Sequence, residues 1–186
     1  MAEKKTKKGQ ANKDATIYSY TLHYRYRWGL PMILLQLLML VGLFVVAKQY
    51  FYATSATILN SLGHLVILWV LQGVSFFLYC YTSSLPFRWH IDALLSPWGG
   101  WRTKNHLSIS DYQQMEWLFF CFGIGAGLLA AAWWQPVYGF LLLSFHLTLS
   151  IPRIVTIFRV QKWKQARNHY IIKHERQGVG LYSTSG

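Results

Sequence analysis

Four long apolar runs are the feature that most constrains this chain. They occupy residues 30–47, 58–81, 115–134 and 137–150. A helix rises about 1.5 Å per residue and the hydrocarbon core of a bilayer is about 30 Å thick, so a spanning helix needs about 20 mostly apolar residues. With its flanking residues, each run is long enough. We therefore predict an all-α membrane protein with four transmembrane helices, TM1 to TM4 in chain order.

Composition divides the chain into six parts around these runs. They are a disordered basic tail at 1–16, an aromatic juxtamembrane segment at 17–28, a TM1–TM2 hairpin at 29–81, a cytoplasmic loop at 82–114, a TM3–TM4 hairpin at 115–152, and a basic helix and tail at 153–186. The first part is Lys-rich and too poor in apolar residues to fold. Within the loop, Phe87–Leu95 after Pro86 predicts a short interfacial helix. Ser110 and Gln113 resemble a capping box for TM3, whereas Gly178–Gly186 shows no core-forming pattern.

The distribution of basic residues predicts the orientation of the four helices. The chain has 18 Lys and Arg against 6 Asp and Glu. Seven of the basic residues precede TM1, three lie between TM2 and TM3, and seven follow Pro152, which leaves only Lys48 in the other two connections. The positive-inside rule then places both chain ends in the cytoplasm. Anionic lipids of the inner leaflet explain the basic excess, so we expect no nucleic-acid partner and favour a bacterial inner membrane.

Large side chains alternate with small or basic ones before TM1. Such a period of two indicates an extended, strand-like segment. One interpretation is that the segment adds as a strand to the sheet edge of a partner, with its rings in pockets. The other is an aromatic belt in the headgroup layer. The rings concerned are Tyr18, Tyr20, Tyr24, Tyr26 and Trp28.

TM3 carries small residues at a spacing of four, namely Gly123, Gly127 and Ala131. A stripe of this kind lets another helix backbone approach closely, and in lipid such packing drives helix association. The partner is either TM4 of the same chain, which follows after a short turn, or a helix of another subunit.

His64 and His146 are the two ionisable residues that we expect well inside the spans. Counted from the outer boundary at about 1.5 Å per residue, they lie at similar depths, so the two rings could face each other. Such a pair could ligate a haem iron axially or pass protons. The alternative is two neutral imidazoles that hydrogen-bond between helices. No CxxCH or HExxH spacing is present, and we predict neither a metal site nor a catalytic set.

The sequence favours a function without catalysis. We predict no buried charges in the spans, and the chain has no Gly-rich phosphate loop, which argues against a self-contained transporter or NTPase. The leading hypothesis is a non-enzymatic subunit of a larger membrane assembly, such as a secretion, conjugation or energy-transducing complex, with lipids and other subunits as partners. One alternative is a haem-binding or proton-conducting subunit using His64 and His146. Another is a lipid-modifying enzyme using Asp92 and His106 of the loop.

Overall fold

The computed structural model describes residues 19–91, 94, 96–163, 170–175 and 178–185. The predicted tail at 1–16 lies outside the described residues, as do Tyr18 and Asp92.

The described chain contains four helical segments that are long and apolar enough to cross a membrane. Helix α1 spans Leu30–Phe51. The second segment, Ser55–Thr82, consists of α2 (Ser55–Asn60), a 3-10 turn (Ser61–Gly63) and α3 (His64–Thr82). Helix α4 spans Ile109–Trp133 and α5 spans Pro136–Gln161. The four apolar helices predicted from the sequence are therefore present, each longer than its apolar run, and the chain is consistent with a multi-pass membrane protein.

Local signals account for where these helices begin and end. Pro31 and Pro136 stand in the first turns of α1 and α5, where a missing N–H leaves no hydrogen bond unmade. The side chain of Ser108 accepts a hydrogen bond from the backbone N–H of Asp111 and so caps α4. The predicted capping box at Ser110 and Gln113 is wrong, because the helix begins earlier, at Ile109.

The prediction of an all-α fold is wrong, because the chain also forms two β-sheets. The larger has the strand order β1-β6-β5-β4, and every pair in it is antiparallel. Its strands are β1 (Ser19–Arg27), β4 (Leu107–Ser108), β5 (Tyr170–Glu175) and β6 (Gly178–Ser185). The extended pattern before TM1 does form a strand. The C-terminal part that we predict as a helix and tail has a different structure. Helix α5 ends at Gln161, and β5 and β6, which follow it, are the two central strands of the sheet.

The smaller sheet takes in the start of the predicted interfacial helix at Phe87–Leu95, of which Asp92, Ala93 and Leu95 lie outside the described residues. Strands β2 (Phe87–Trp89) and β3 (Trp101–Thr103) form an antiparallel pair. Aromatic residues favour a strand when they find cross-strand partners, and here Trp89 lies opposite Trp101. Gly100 has a φ of +86°, and a Cβ on it would approach the carbonyl oxygen of His90 to 2.8 Å. The connection between the strands therefore requires glycine at this position.

The main hydrophobic core lies between the larger sheet and the adjoining ends of the helices. Residues of the sheet (Leu107, Ile172, Val179, Leu181) pack with helix residues of α3, α4 and α5 (Phe76, Tyr79, Tyr112, Met115, Ile157, Val160). Within the bundle, α5 packs against α1, α3 and α4. The sheet and the helices thus share one core, and a change at their boundary affects both.

Candidate functional site: a buried ion pair between the sheet and helices α4 and α5

Glu116 and Arg153 form an ion pair at the boundary between the sheet and the bundle. The Nε atom of Arg153 lies 2.9 Å from Oε2 of Glu116, and the side chains are only 4% and 1% exposed. Both residues lie in the helices that we expect to cross the membrane. Charges removed from water in this way are costly unless each is paired, so this pair is the least ordinary feature of the described interior.

Other buried groups complete the surroundings of the pair. The indole Nε1 of Trp98, from the loop before β3, donates a 2.7 Å hydrogen bond to Oε1 of Glu116. The guanidinium carbon of Arg153 lies 4.0 Å from the centre of the Phe119 ring. Both carboxylate oxygens of Glu116 are therefore engaged, and one face of the Arg153 cation is covered by an aromatic ring.

A second set of polar contacts ties the same turns of α4 and α5 together. The hydroxyl of Thr156 donates to the carbonyl oxygen of Arg153 at 2.6 Å. Its oxygen also lies 2.6 Å from the hydroxyl of Tyr112. Since the Thr156 proton is already used, Tyr112 is the donor in this contact. Tyr112 and Thr156 are both fully buried, so the contact fixes the two helices relative to each other.

His174 of β5 brings the sheet to this centre. Its ring lies 5.8 Å from that of Tyr112 and 6.1 Å from that of Trp98. Burial, together with the smaller effect of the positive charges of Arg153 and Arg102, lowers the pKa of His174 to about 3. The imidazole is therefore neutral at ordinary pH.

Helix geometry explains how distant residues meet here. Tyr112, Glu116, Phe119 and Gly123 recur every three or four residues along α4 and so lie on one face of it. On α5, Arg153 and Thr156 share a face in the same way. The turn between the two helices brings these faces together, because α4 and α5 pack along their length.

The prediction of no buried charges in the spans is therefore wrong. The sequence contained a signal for this pair. Counted outward from the turn, Glu116 is 18 residues before Trp134, and Arg153 is 17 residues after Pro136. In an antiparallel helix hairpin both then lie about 26 Å from the turn. One acid and one base at matched depth on neighbouring helices predict an ion pair.

The structure places His64 and His146 in different surroundings. The ring of His64 lies 6.1 Å from that of Tyr138, near the start of α5. His146 follows Tyr138 by eight residues on the same helix, about 12 Å further along its axis, and packs against Phe119 and Phe120 of α4. The Nε2 atom of His146 donates to the carbonyl oxygen of Phe120 at 3.1 Å. This arrangement is that of an interhelical hydrogen bond, and it does not bring the two rings together around one haem iron.

The small residues of α4 face α5 of the same chain. A Cβ on Gly123 would overlap the ring of His146, and one on Gly127 would overlap Leu143. Further along, a Cβ on Gly139 of α5 would overlap Ala131. Gly123 therefore leaves the space that the buried His146 ring occupies.

The aromatic residues of β1 and its neighbourhood have contacts within the chain. Tyr20 is 46% exposed and stacks on His106, with ring centres 4.8 Å apart. Tyr24 and Tyr26 are half-buried against the main core, and burial raises the pKa of Tyr26 to about 12. Trp28 donates through Nε1 to Gln36 of α1 at 2.8 Å. Among the described Tyr and Trp rings of this segment, Tyr20 has the largest exposed fraction and so the most surface for contact with another molecule.

Of the two loop residues considered for a lipid-modifying enzyme, Asp92 lies outside the described residues, whereas His106 and the nearby carboxylate of Asp111 have structural partners. Asp111 accepts hydrogen bonds from the hydroxyls of Ser108 at 2.6 Å and Tyr79 at 3.1 Å. His106 lies between the rings of Tyr20 and Tyr182. The described part of the loop thus holds no acid–base pair, and within the described residues no group of three or more His, Cys, Asp or Glu side chains is placed to hold a metal ion.

The Glu116–Arg153 centre has the properties of a structural link. It joins α4, α5, the loop through Trp98 and the sheet through His174, and it is closed to water. Comparison with protein-family models, with curated proteins and with solved structures gives no match for this chain.

Proposed function

We propose that this chain is a non-enzymatic integral membrane subunit of a larger multi-protein assembly, with both ends of the chain in the cytoplasm. The membrane in this proposal is a bacterial inner membrane. The observation that carries the proposal is the larger sheet, which collects strands from three separate segments and has β1 at its edge, with one side unpaired among the described residues.

The composition of the sheet supports the orientation. Strand β1 precedes α1, β4 lies between α3 and α4, and β5 and β6 follow α5. Strands of one sheet must lie on one side of the membrane if the four helices cross it. These are the segments that hold 17 of the 18 basic residues, so the positive-inside rule assigns that side to the cytoplasm.

The open edge of β1 supports a protein partner. Strand β1 is nine residues long and pairs with β6 along one edge, and no strand among the described residues pairs with the other. An unpaired edge presents a row of backbone donors and acceptors that a strand of another chain can satisfy. Tyr20 and Leu22, 46% and 42% exposed, add apolar surface at this strand.

The buried ion pair supports a scaffold function. A partner strand added to β1 would transmit force to the bundle only if the sheet were fixed to the helices. The core that the sheet shares with α3, α4 and α5 and the ring contacts of His174 with Tyr112 and Trp98, beside the ion pair, provide that fixed connection.

Blue-native electrophoresis of gently solubilised membranes from the native host tests this function. We expect the chain to migrate in a species much larger than its 21.6 kDa. Leu22→Lys should remove it from that species, because a charged lysine in an edge strand disfavours strand addition. The matched control is Ile91→Lys, another exposed apolar residue outside the four helices, which should leave the large species intact.

Two results would overturn the proposal. One is migration as a lone monomer in several mild detergents. The other is an equal loss of the large species in both lysine variants. That result would show that the added charge disrupts the assembly whether or not it lies on β1.

A further inference from the structure

In addition to the buried ion pair, a second polar site lies on the β2–β3 hairpin, in the connection between α3 and α4. Residues of β2 and β3, the residue that follows each of these strands, and one residue of β5 line an open cavity of about 270 Å³. Its lining residues are Arg88, His90, Arg102, Thr103, Lys104 and His174. Three of the six are cations, and none of the described lining residues is a carboxylate.

The register of the hairpin gathers this positive charge. Arg88 of β2 lies directly opposite Arg102 of β3. Like charges at directly opposed positions disfavour strand pairing. Lys104 adds a third cation at the end of β3, where its backbone N–H donates to the carbonyl oxygen of Pro86 at 2.9 Å. The strand pairing thus holds three cations around one space, and an anion there would be attracted to the exposed side chains of Arg88 and Lys104.

One of the lining residues, His174, carries a buried polar atom that needs a partner. His174 is 6% exposed, and its Nε2 atom has no hydrogen-bond partner within the part of the chain that the structure describes. The other ring nitrogen, Nδ1, lies 3.4 Å from Oγ1 of Thr103. Since the Thr103 hydroxyl donates to the carbonyl oxygen of Asn105, Nδ1 carries the ring proton and Nε2 is an acceptor. A ligand with both an anionic oxygen and an acidic hydroxyl would suit the cations and this nitrogen together.

We propose that this cavity binds a phosphate group. A monoprotonated phosphate has anionic oxygens for the guanidinium group of Arg88 and for the ammonium of Lys104, and a P–OH that can donate to Nε2 of His174. The planar guanidinium matches two phosphate oxygens at once. A volume of about 270 Å³ admits a phosphate and leaves room for the group that bears it.

The phosphate has two possible sources, a soluble anion and a lipid headgroup. The surroundings of the cavity are suited to a headgroup, because the neighbouring Trp89 and Ile91 are 41% and 74% exposed. An exposed tryptophan beside an exposed aliphatic residue is typical of a segment at the membrane surface. The site itself does not depend on the assembly proposed above.

Titration calorimetry of the purified full chain in a neutral detergent tests the site at physiological salt. The probes are inorganic phosphate and short-chain phosphatidic acid, with short-chain phosphatidylcholine as the comparison lipid. The test variant is Arg88→Gln with Lys104→Gln, two exposed residues of the cavity. The matched control is Arg159→Gln with Lys162→Gln, which removes the same charge from the exposed end of α5.

We expect saturable binding of phosphatidic acid, weaker binding of phosphatidylcholine, and a loss of at least about tenfold in affinity for each charge-assisted contact removed. The control variant should bind within about twofold of the wild type. Displacement of phosphatidic acid by inorganic phosphate would support recognition of the phosphate alone, and failure of inorganic phosphate to bind would support a lipid headgroup. The proposal would be overturned if neither inorganic phosphate nor phosphatidic acid binds saturably. It would also be overturned if the two double variants lose the same affinity.

Discussion

Among the described residues, Glu116 is the acid that pairs with Arg153, so removal of either residue leaves the other charge buried without compensation. In Arg153→Ala, Glu116 would stay buried with only the hydrogen bond from Trp98. We expect this variant to lose about 3–5 kcal/mol of unfolding free energy. The measurement is reversible unfolding in mixed micelles, followed by circular dichroism.

The double variant Glu116→Leu with Arg153→Met separates charge from packing. Replacing a buried ion pair by apolar side chains of similar size is often neutral, so the double variant should be much more stable than either single one. Arg159→Ala, at an exposed position of the same helix, should change the free energy by less than about 0.5 kcal/mol. If the two single variants are as stable as this control, the ion pair does not hold the sheet to the bundle.

His174 predicts how stability depends on pH. In the folded chain its pKa is lowered to about 3, against an ordinary value of 6.5, because it is buried near Arg153 and Arg102. Between these two values the unfolded chain binds a proton that the folded chain does not, so acidification favours unfolding. We expect the contribution of His174 to stability to be complete above about pH 6.5 and to fall by up to about 1.4 kcal/mol per pH unit below it.

The variant His174→Gln isolates this effect. Other groups titrate in the same range, and His106 acts in the same direction because burial and Lys173 lower its pKa. The difference between the pH profiles of wild type and variant should remove these shared contributions. A difference that stays constant between pH 6.5 and pH 4 would contradict the buried, neutral state of His174.

The packing of α4 on α5 can be tested with two glycines of the same helix. A Cβ on Gly123 would overlap the His146 ring, whereas one on Gly125 meets no atom within 4 Å. We expect Gly123→Ala to destabilise the chain by about 1–3 kcal/mol, because the helices must move apart or His146 must leave its site. Gly125→Ala should be neutral or stabilising by up to about 1 kcal/mol, since alanine favours a helix.

Thermal unfolding of the two variants in one detergent gives the comparison. Equal midpoints for Gly123→Ala and Gly125→Ala would show that α5 does not approach α4 as closely as the structure has it.

Some elements could be predicted from the sequence because their signal is local. The four helices follow from apolar runs, and β1 follows from the alternation of large and small side chains at 17–28. Strand β6 could not be found in this way. Its residues, GVGLYSTS, include two glycines and no clear alternation, and its partners Tyr26 and Ile172 come from other parts of the chain. A Cβ on Gly178 would overlap the carbonyl oxygen of Tyr26, so its glycine is required by a contact that only the folded chain shows.

The candidate site was missed for a related reason. Glu116 and Arg153 each stand near the end of an apolar run, where a charged residue is ordinary. The predicted hairpin of TM3 and TM4 already places them at the same depth, but only the folded loop brings Trp98 to Glu116. Tertiary contacts rather than local pattern determine the site.

The arrangement of the whole molecule predicts which positions share a compartment. In a chain with Cys80→Ala and Cys121→Ala, single cysteines are introduced by Thr21→Cys, Lys173→Cys, Ser55→Cys and Gln135→Cys, all at exposed positions. Thr21→Cys and Lys173→Cys should react with a membrane-impermeant thiol reagent only after the cytoplasmic face is opened. The other two, at the first residue of α2 and in the connection between α4 and α5, should react in intact cells.

This labelling also tests the sheet at the scale of the molecule. Strand β1 and strand β5 both adjoin β6, so opposite labelling of Thr21→Cys and Lys173→Cys would be incompatible with the strand order. Such a result would also contradict the proposed orientation. We expect Thr21→Cys and Lys173→Cys to share one compartment and Gln135→Cys to lie in the other.

The position of β6 between β1 and β5 has a consequence for biosynthesis. The ribosome makes β1 before any of the four helices and β6 after all of them, so β1 emerges long before its partner exists. Until then its backbone remains available to other nascent chains, because pairing over so great a sequence separation is slow. Insertion of the helices must therefore precede closure of the sheet, and a ribosome that stalls after α5 would release a product that is anchored in lipid yet open to aggregation along β1.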